Sequence, residues 1–312
     1  MPASAIPRLP RVPATSLTDF IAGGLLGVAA GDALGATVEF MSPAEIQRRR
    51  GVHRDIVGGG AFGWRPGQGT DDTDLTWAVV AGYLKTDGSD SLEAIAQEFL
   101  EWFETDPPDV GITTRQALLQ LRHDGDPTSS GLTSEHSCGN GSLMRALPTA
   151  LVRSDPTVRQ AESAQISAVT HAHRRCVDSC VAYNEIAAAL LDGCTAIDAI
   201  GAAHELDLDA EVRRALDIPA TSDVAQLGTG GYVIDSLACA VWAIQQSQSL
   251  ESVLVSLVNR GDDADTTGAI AGGLLGVQHG VDAIPERWRD KLEYADRMCG
   301  AATEFARMRS AK

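Results

Sequence analysis

Two short stretches crowd carboxylates more tightly than folding alone requires. In NRGDDADTTGAIAGGLLGV (Asn259–Val277), Asp262, Asp263 and Asp265 fall within four residues, with Thr266 and Thr267 directly after. In PGQGTDDTDLTWAV, Thr70, Asp71, Asp72 and Asp74 stand together in the same way. Like charges this close repel one another. Each cluster lies where an apolar helical pattern begins, so helix capping accounts for part of it. A Thr or Asp N-cap satisfies a free N–H, and acids in the first turn favour the helix dipole at ~0.3–1 kcal/mol each. Capping explains Asp71 beside Asp72 poorly, and the second cluster less well still. Carboxylates with Thr hydroxyls are hard oxygen donors, which suit Mg2+ or Mn2+, suit Ca2+ less, and do not suit Zn2+. Acids shared between two helix starts fit a pair of divalent cations better than one.

Spacing excludes an EF-hand. With Asp263 at position 1, position 12 is Leu274, where a bidentate Glu belongs. Glu39 closes GDALGATVEF, and Asp32 lies seven residues before it. Each is either a structural acid or a ligand or base for the same cations.

Three glycine-rich stretches could receive an anion. SCGNGSLMRALP (Ser137–Pro148) offers successive N–H groups at Gly139, Asn140, Gly141 and Ser142, a nest for a phosphate or an ordinary connector. It is not a P-loop, since no Gly-Lys-Ser/Thr follows. LGTGGY (Leu227–Tyr232) leads to a helix start and brings Tyr232 where it can stack on a base. GGGAFG (Gly58–Gly63) matches no dinucleotide fingerprint, because no helix opens after it. In DPPDVGITTRQAL, Asp109 precedes a helix as a cap, or pairs with a guanidinium. THAHRRCVDSC reads as buried thiols and a loop histidine, with His171 able to hydrogen-bond a ligand. A zinc site there would need four ligands from one short segment.

The elements that must position these residues are helices. The periodicity predicts them at roughly 17–31, 71–85, 91–104, 112–122, 142–153, 157–169, 174–191, 195–205, 208–216, 232–246, 249–259, 264–279 and 286–308. The expected class is all-α. Irregular segments at 39–70, 124–141 and 220–231 are long enough to expect function from them. IAGGLLGV occurs twice, at Ile21–Val28 and Ile270–Val277. The flanks do not match, so two core helices that both need small residues are expected, bordering one site.

Composition sets the frame. With 42 acidic against 25 basic residues, the net charge is −17, which opposes binding to nucleic acid or anionic membranes. No run of about 18 apolar residues reads as a membrane span. MPASAIPRLPRVPATSL lacks a signal-peptide apolar region and is expected to be a flexible leader, residues 1–16. No composition shift divides residues 17–312, expected as one all-helical domain and a monomer. Six scattered cysteines suit reduced thiols in a cytoplasmic enzyme.

Taken in order, GDALGATVEF, GVHRDIVGGG…PGQGTDDTDL, PPDVGITTR, CGNGSLMRALP, THAH, GYVIDSLACAVWA and NRGDDADTTGAIAGGLLG resemble the ADP-ribosylglycohydrolase family, and within it the dinitrogenase reductase-activating glycohydrolase type. The resemblance runs from about Phe20 to about Leu292. It implies an all-α helical bundle with a dinuclear Mg2+ or Mn2+ cleft. Carried over by position, Thr70, Asp71 and Asp72 would bind one cation, and Asp263, Asp265 and Thr266 the other, with Asp265 bridging. Asp262 matches a position that is often Gly, and is expected to be dispensable as a ligand. Glu39 matches an acid that approaches the metals in some members. Asp109 matches an acid placed near the substrate arginine. Gly139, Asn140, Gly141, Ser142 and His171 would contact ADP-ribose, and Gly230 and Tyr232 would line its adenosine side. Arg174 stands after the second His of THAH where some relatives have Pro, so only His171 is carried over.

The activity implied is metal-dependent hydrolysis of ADP-ribosylated protein side chains, releasing ADP-ribose. Cleavage of the N-glycosidic bond to arginine is expected, with Asp71, Asp72 or Glu39 as general base. The alternatives are a hydrolase of O-linked ADP-ribose, on serine or a small molecule, and a phosphohydrolase or binder of free ADP-ribose.

Overall fold

The computed structural model describes residues 16–310, and among these the chain is helical with no strand. In chain order the helices are α1 (Leu17–Gly35), α2 (Pro43–Arg50), α3 (Asp71–Lys85), α4 (Ser91–Phe103), α5 (Ile112–Asp124), α6 (Leu147–Val152), α7 (Pro156–Ala168), α8 (Arg174–Leu191), α9 (Ala196–His204), α10 (Ala210–Leu216), α11 (Val233–Ile244), α12 (Leu250–Val258), α13 (Ala264–His279), α14 (Glu286–Arg289) and α15 (Ala295–Ser310). The expected leader lies outside the described residues except for Ser16, which caps α1. Its hydroxyl accepts the Asp19 N–H at 3.2 Å, and the Asp19 carboxylate takes the Ser16 N–H at 2.7 Å. That reciprocal pair is a capping box.

The two IAGGLLGV copies lie on α1 and α13, which pack antiparallel at the centre. Gly23, Gly27 and Gly31, one per turn of α1, face Gly276, Gly272 and Gly268 of α13, and Gly35 faces Ala264. A Cβ on Gly27 would sit 2.1 Å from the Gly272 carbonyl oxygen, and one on Gly272 would sit 2.2 Å from that of Gly27. Only hydrogen fits between these backbones, so the repeated small residues are a contact surface. By length and composition α1 could also pass for a membrane span, but most of it is buried inside the fold. Asp32, wholly buried within it, has definite partners at the start of α3.

The antiparallel arrangement has a direct consequence. The C-terminal end of α1, leading to Glu39, lies beside the N-terminus of α13, with Asp263 and Asp265. Asp32 ties α3 to the same end. Its Oδ2 accepts the N–H of Thr70 at 3.0 Å and of Thr73 at 3.1 Å, together with the Thr73 hydroxyl. Two helix N-termini therefore converge on the end of α1, each with acids in its first turn.

Three expected elements differ from the structure. The segment 39–70 contains α2, which has a Ser42–Glu45 capping box but buries only Ile46. Almost uniformly polar, it shows no apolar period. The helix expected over 142–153 is reduced to Leu147–Val152, with turn at 141–145. The helix expected over 286–308 is broken at 290–294, where the Glu293 N–H donates to the Gly67 carbonyl at 3.0 Å and Leu292 enters the core. That tertiary contact overrides local propensity.

Candidate functional site

Where α1, α3 and α13 meet, carboxylates form one wall of a cavity of about 810 Å3. Glu39, Asp263 and Asp265 each offer an oxygen, and these oxygens lie within 4.8 Å of one another. Asp71 and Thr266 line the same cavity. Asp72 lies just behind. Its Oδ2 accepts from the hydroxyls of Thr70 and Thr266, each at 3.2 Å, so threonines from the two separate clusters share one oxygen. The two clusters singled out in the sequence are thus brought together. Asp74 is not among them. It turns away to accept from Trp102 Nε1 at 3.1 Å and the Tyr294 hydroxyl at 2.8 Å.

The wall carries unanswered charge. Asp32 Oδ1, Glu39 Oε2, Asp72 Oδ1 and Asp265 Oδ1 are buried without a hydrogen-bond partner among the described residues. No Lys or Arg is among the described residues lining the cavity. Two unit charges at this spacing repel by roughly 3 kcal/mol at an effective dielectric near ~20. Burial and the neighbouring acids therefore favour protons on the wall. Asp32 rises to about 6, chiefly through burial. Glu39 rises to about 8 through burial, then the charges of Asp109, Asp263 and Asp32. Asp71, Asp72 and Asp265 are all pushed well above the usual carboxylate range, first by burial and then by other acids. Unpartnered hard oxygens, surplus negative charge and adjacent Thr hydroxyls are the donor set of a divalent-cation site, so the residues present fit such ions.

A second wall is a loop held by backbone pairing. The Asn140 N–H donates to the Gly231 carbonyl at 3.0 Å, and the Val233 N–H to the Cys138 carbonyl at 3.1 Å. The Asn140 N–H is therefore committed. Its side-chain amide reaches across instead, to Asp263 Oδ2 at 2.6 Å and Ser236 Oγ at 2.9 Å. Gly139, Gly141 and Gly230 line the cavity. The Ser142 side chain points inward, where its hydroxyl accepts from Ser167 at 3.0 Å. Asp32, Thr70, Asp72, Ser142 and Tyr232 do not line the cavity; Glu39, Asp71, Asp109, Gly139, Asn140, Gly141, His171, Gly230, Asp263, Asp265 and Thr266 do.

His171 stands beside this loop. A Cβ on Gly141 would lie 2.9 Å from its ring. Burial and the Arg145 charge lower its pKa to about 3, so the ring is neutral. The hydrogen-bond network assigns its tautomer. Arg145 Nη2 donates to the Thr170 hydroxyl at 2.7 Å, and that hydroxyl lies 2.7 Å from His171 Nδ1. Thr170 thus donates to Nδ1, and Nε2 carries the proton on the side facing Gly139 and Gly141. Arg145 is fully buried, stacks on Phe99 at 4.3 Å, and donates to the Gly141 carbonyl at 2.7 Å. It sits inside the motif CGNGSLMRALP, but no sequence signal marks it as the support of both loop and histidine.

Two further candidates lie at the cavity mouth. Asp109 is half-buried, and burial and the Asp263 charge raise its pKa. Asp262 is exposed, with a left-handed backbone at φ of 53°, and is not among the acids with unpartnered buried oxygens. Cys176 and Cys180 are buried thiols, directed to the Ser137 and Gly139 carbonyls and to Ser142.

The family model for ADP-ribosylglycohydrolase matches residues 13–312. The chain belongs to the ADP-ribosylglycohydrolase family. Relatives of this ADP-ribosylglycohydrolase include the ADP-ribosyl-(dinitrogen reductase) glycohydrolase of Rhodospirillum rubrum, 35% identical over 89% of this chain and 92% of that protein. The ADP-ribosylarginine hydrolase Tri1 of Serratia proteamaculans (strain 568) is 30% identical over 94% of this chain and 81% of its own. A solved structure described as an ADP-ribosylglycohydrolase-related protein complex superposes with a TM-score of 0.81 at 28% identity, covering 94% of this chain and 99% of the other. The all-α ADP-ribosylglycohydrolase fold expected from the motifs is the one observed, and the chain is a glycosidase-type hydrolase.

Proposed function

We propose that this ADP-ribosylglycohydrolase removes ADP-ribose from arginine side chains of proteins, using two divalent cations, Mg2+ or Mn2+. The observation that carries this reading is the set of buried carboxylate oxygens without partners, Glu39 and Asp265 lining and Asp32 and Asp72 close to a cavity that no described Lys or Arg lines. Thr70, Asp71 and Asp72 would hold one cation. Asp263, Asp265 and Thr266 would hold the other, with Glu39 near enough to Asp263 and Asp265 to share it. Bound there, the pair would supply Lewis acidity toward a water and the ribose hydroxyls.

The remaining chemistry belongs to the chain's own groups. Gly139 and Gly141 present bare backbone to the diphosphate, and His171 Nε2–H donates to it or to the adjoining ribose. Gly230, with Tyr232 behind it, forms the adenosine side. Asp109 accepts guanidinium N–H bonds, which orients the scissile bond and favours arginine over serine linkages. Among the candidate bases, Asp72 does not line the cavity, whereas Asp71 and Glu39 do, and of these two Glu39 has an oxygen, Oε2, buried without a partner. Glu39 is therefore assigned the proton of the attacking water. The water oxygen bonds to the anomeric carbon as the C–N bond breaks, and the electron pair leaves with the guanidine nitrogen. The proton held by Glu39 passes to that nitrogen, giving ADP-ribose and arginine. The developing oxocarbenium charge faces carboxylates.

Incubation with arginine-linked and serine-linked ADP-ribose, each with Mg2+, with Mn2+ and with chelator, tests the proposal. Cation-dependent release of ADP-ribose from arginine is expected. AMP plus ribose phosphate would mark a phosphohydrolase, and no product would mark a binder. In Asp109→Ala, arginine-linked turnover is expected to fall at least tenfold more than serine-linked turnover. An equal loss on both would sink the assignment of Asp109.

A further inference from the structure

Two of the most exposed large apolar side chains share the rim of the acidic cavity. Phe40 is 64% exposed and Ile112 is 79% exposed, and both line its mouth. Each follows an acid of the site closely in sequence, Glu39 and Asp109. Phe40 is also coupled to Asp262. Its N–H donates to the Asp262 carbonyl at 2.7 Å, and the Asp262 N–H donates to the Met41 carbonyl at 3.0 Å. These bonds join the Phe40 and Asp262 backbones, and both residues line the cavity.

The ring has a rigid backing. Phe62, from the glycine-rich GGGAFG stretch, packs edge-on to Phe40 with centroids 6.2 Å apart, and its other neighbour is Trp64 at 5.7 Å. Reciprocal hydrogen bonds of 2.7 and 2.8 Å between Gly59 and Trp64 close that loop. A Cβ on Gly60 would lie 2.0 Å from the Ala36 carbonyl oxygen, so the loop lies directly on the end of α1. The aromatic ledge is built on the end of α1, just before the turn that carries Glu39.

An exposed ring beside a carboxylate is complementary to a basic side chain. The cation is attracted by the ring face and by the carboxylate, and its aliphatic stem covers apolar surface. Ile112 extends that surface on the same rim. The net charge of −17 draws basic protein surfaces toward the molecule as a whole. The cavity already accommodates the modified group, so the ledge at its mouth meets what flanks that group on the substrate.

We propose that Phe40 and Asp262, with Ile112, form a docking subsite for a basic residue of the substrate protein adjacent to the modified side chain. This rests on the reading that the substrate is an ADP-ribosylated protein. It assigns Phe40 and Asp262 to specificity, apart from the bond broken.

Two ADP-ribosylarginine peptides that differ only in carrying Lys or Glu on both sides of the modified residue test it. Wild type is expected to show a kcat/KM about tenfold higher on the Lys peptide, mainly through KM. Asp262→Asn and Phe40→Leu are each expected to reduce that ratio, and the double variant to bring it near one. Phe40→Leu changes no charge, so its effect separates a local subsite from the general field of the protein. A wild-type ratio near one, or a ratio unchanged in the double variant, overturns the proposal. Fluorescence anisotropy with the same peptides unmodified provides an arm independent of hydrolysis. Loss of the Lys preference there in the double variant, with no ADP-ribose released by wild type, overturns the hydrolase reading and leaves the docking subsite standing.

Discussion

Asp265 has one carboxylate oxygen without a partner, within reach of the charges of Asp72, Asp263 and Glu39. Its replacement should therefore move activity and stability in opposite directions. Asp265→Ala is expected to lower cation-dependent turnover at least about a hundredfold. It also removes a buried carboxyl group that has an unpartnered oxygen and stands among other acids, so the metal-free protein should melt higher than metal-free wild type. Full turnover in this variant would sink the dinuclear reading. Arg145 is the opposite case, a buried cation that supports other groups. Arg145→Met leaves the Gly141 carbonyl and the Thr170 hydroxyl without their donor and releases the His171 tautomer. At about 1.5–3 kcal/mol for a hydrogen bond from a charged group, KM for the ADP-ribosyl substrate should rise roughly tenfold or more, with a smaller change in kcat. A kcat loss at unchanged KM would count against this positioning role. The carboxylates were legible in the sequence because repulsion between neighbours is visible in one dimension. Arg145 was not, because burial of a guanidinium on Phe99 exists only once the helices have packed. Asp32 was ambiguous for a related reason. One of its oxygens ties α3 to α1, and the other is left facing no partner.

At the scale of elements, the repeated IAGGLLGV was legible as a pair of core helices bordering one site, because close backbone approach demands glycine at a fixed period. Its pairing and direction were not, since an isolated stripe does not name its partner. Other elements were illegible for identifiable reasons. α2 lacks an apolar face, and α14 is separated from α15 by a contact with a loop more than two hundred residues away. The glycine contact makes a sharp prediction. Gly272→Ala places a Cβ on the Gly27 carbonyl oxygen and should destabilise by about 3 kcal/mol or more, at the upper end of overpacking costs. Gly201→Ala, in α9 with nothing near its Cβ position, should stabilise by about 0.5–1 kcal/mol. Urea melts of both variants check the contrast. Equal midpoints would mean that the α1–α13 approach is looser than described.

The molecule as a whole carries a net charge of −17, and its most costly negative charge is buried at one end of the central helix pair. This couples stability, pH and cations. In the metal-free protein, Asp32 rises to about 6 and Glu39 to about 8, so the folded chain holds protons that the unfolded chain has already lost. Wherever the folded state binds more protons, stability falls as pH rises. The contribution of these groups is complete below about pH 4, near their unfolded values, and is lost as pH climbs through about 6 and then about 8. Divalent cations act in the reverse sense, because they bind deprotonated carboxylates and only in the folded state. At a hundred times its dissociation constant, each ion adds about 2.7 kcal/mol. The melting temperature without cation should therefore decline from pH 5 to pH 8, while the increment from Mg2+ or Mn2+ grows over the same interval. Asp265→Ala should reduce both trends. Scanning calorimetry with chelator and with either cation, at several pH values, measures all three. Superimposable melting curves with and without cation across that range would remove the wall of carboxylates from consideration as a cation site.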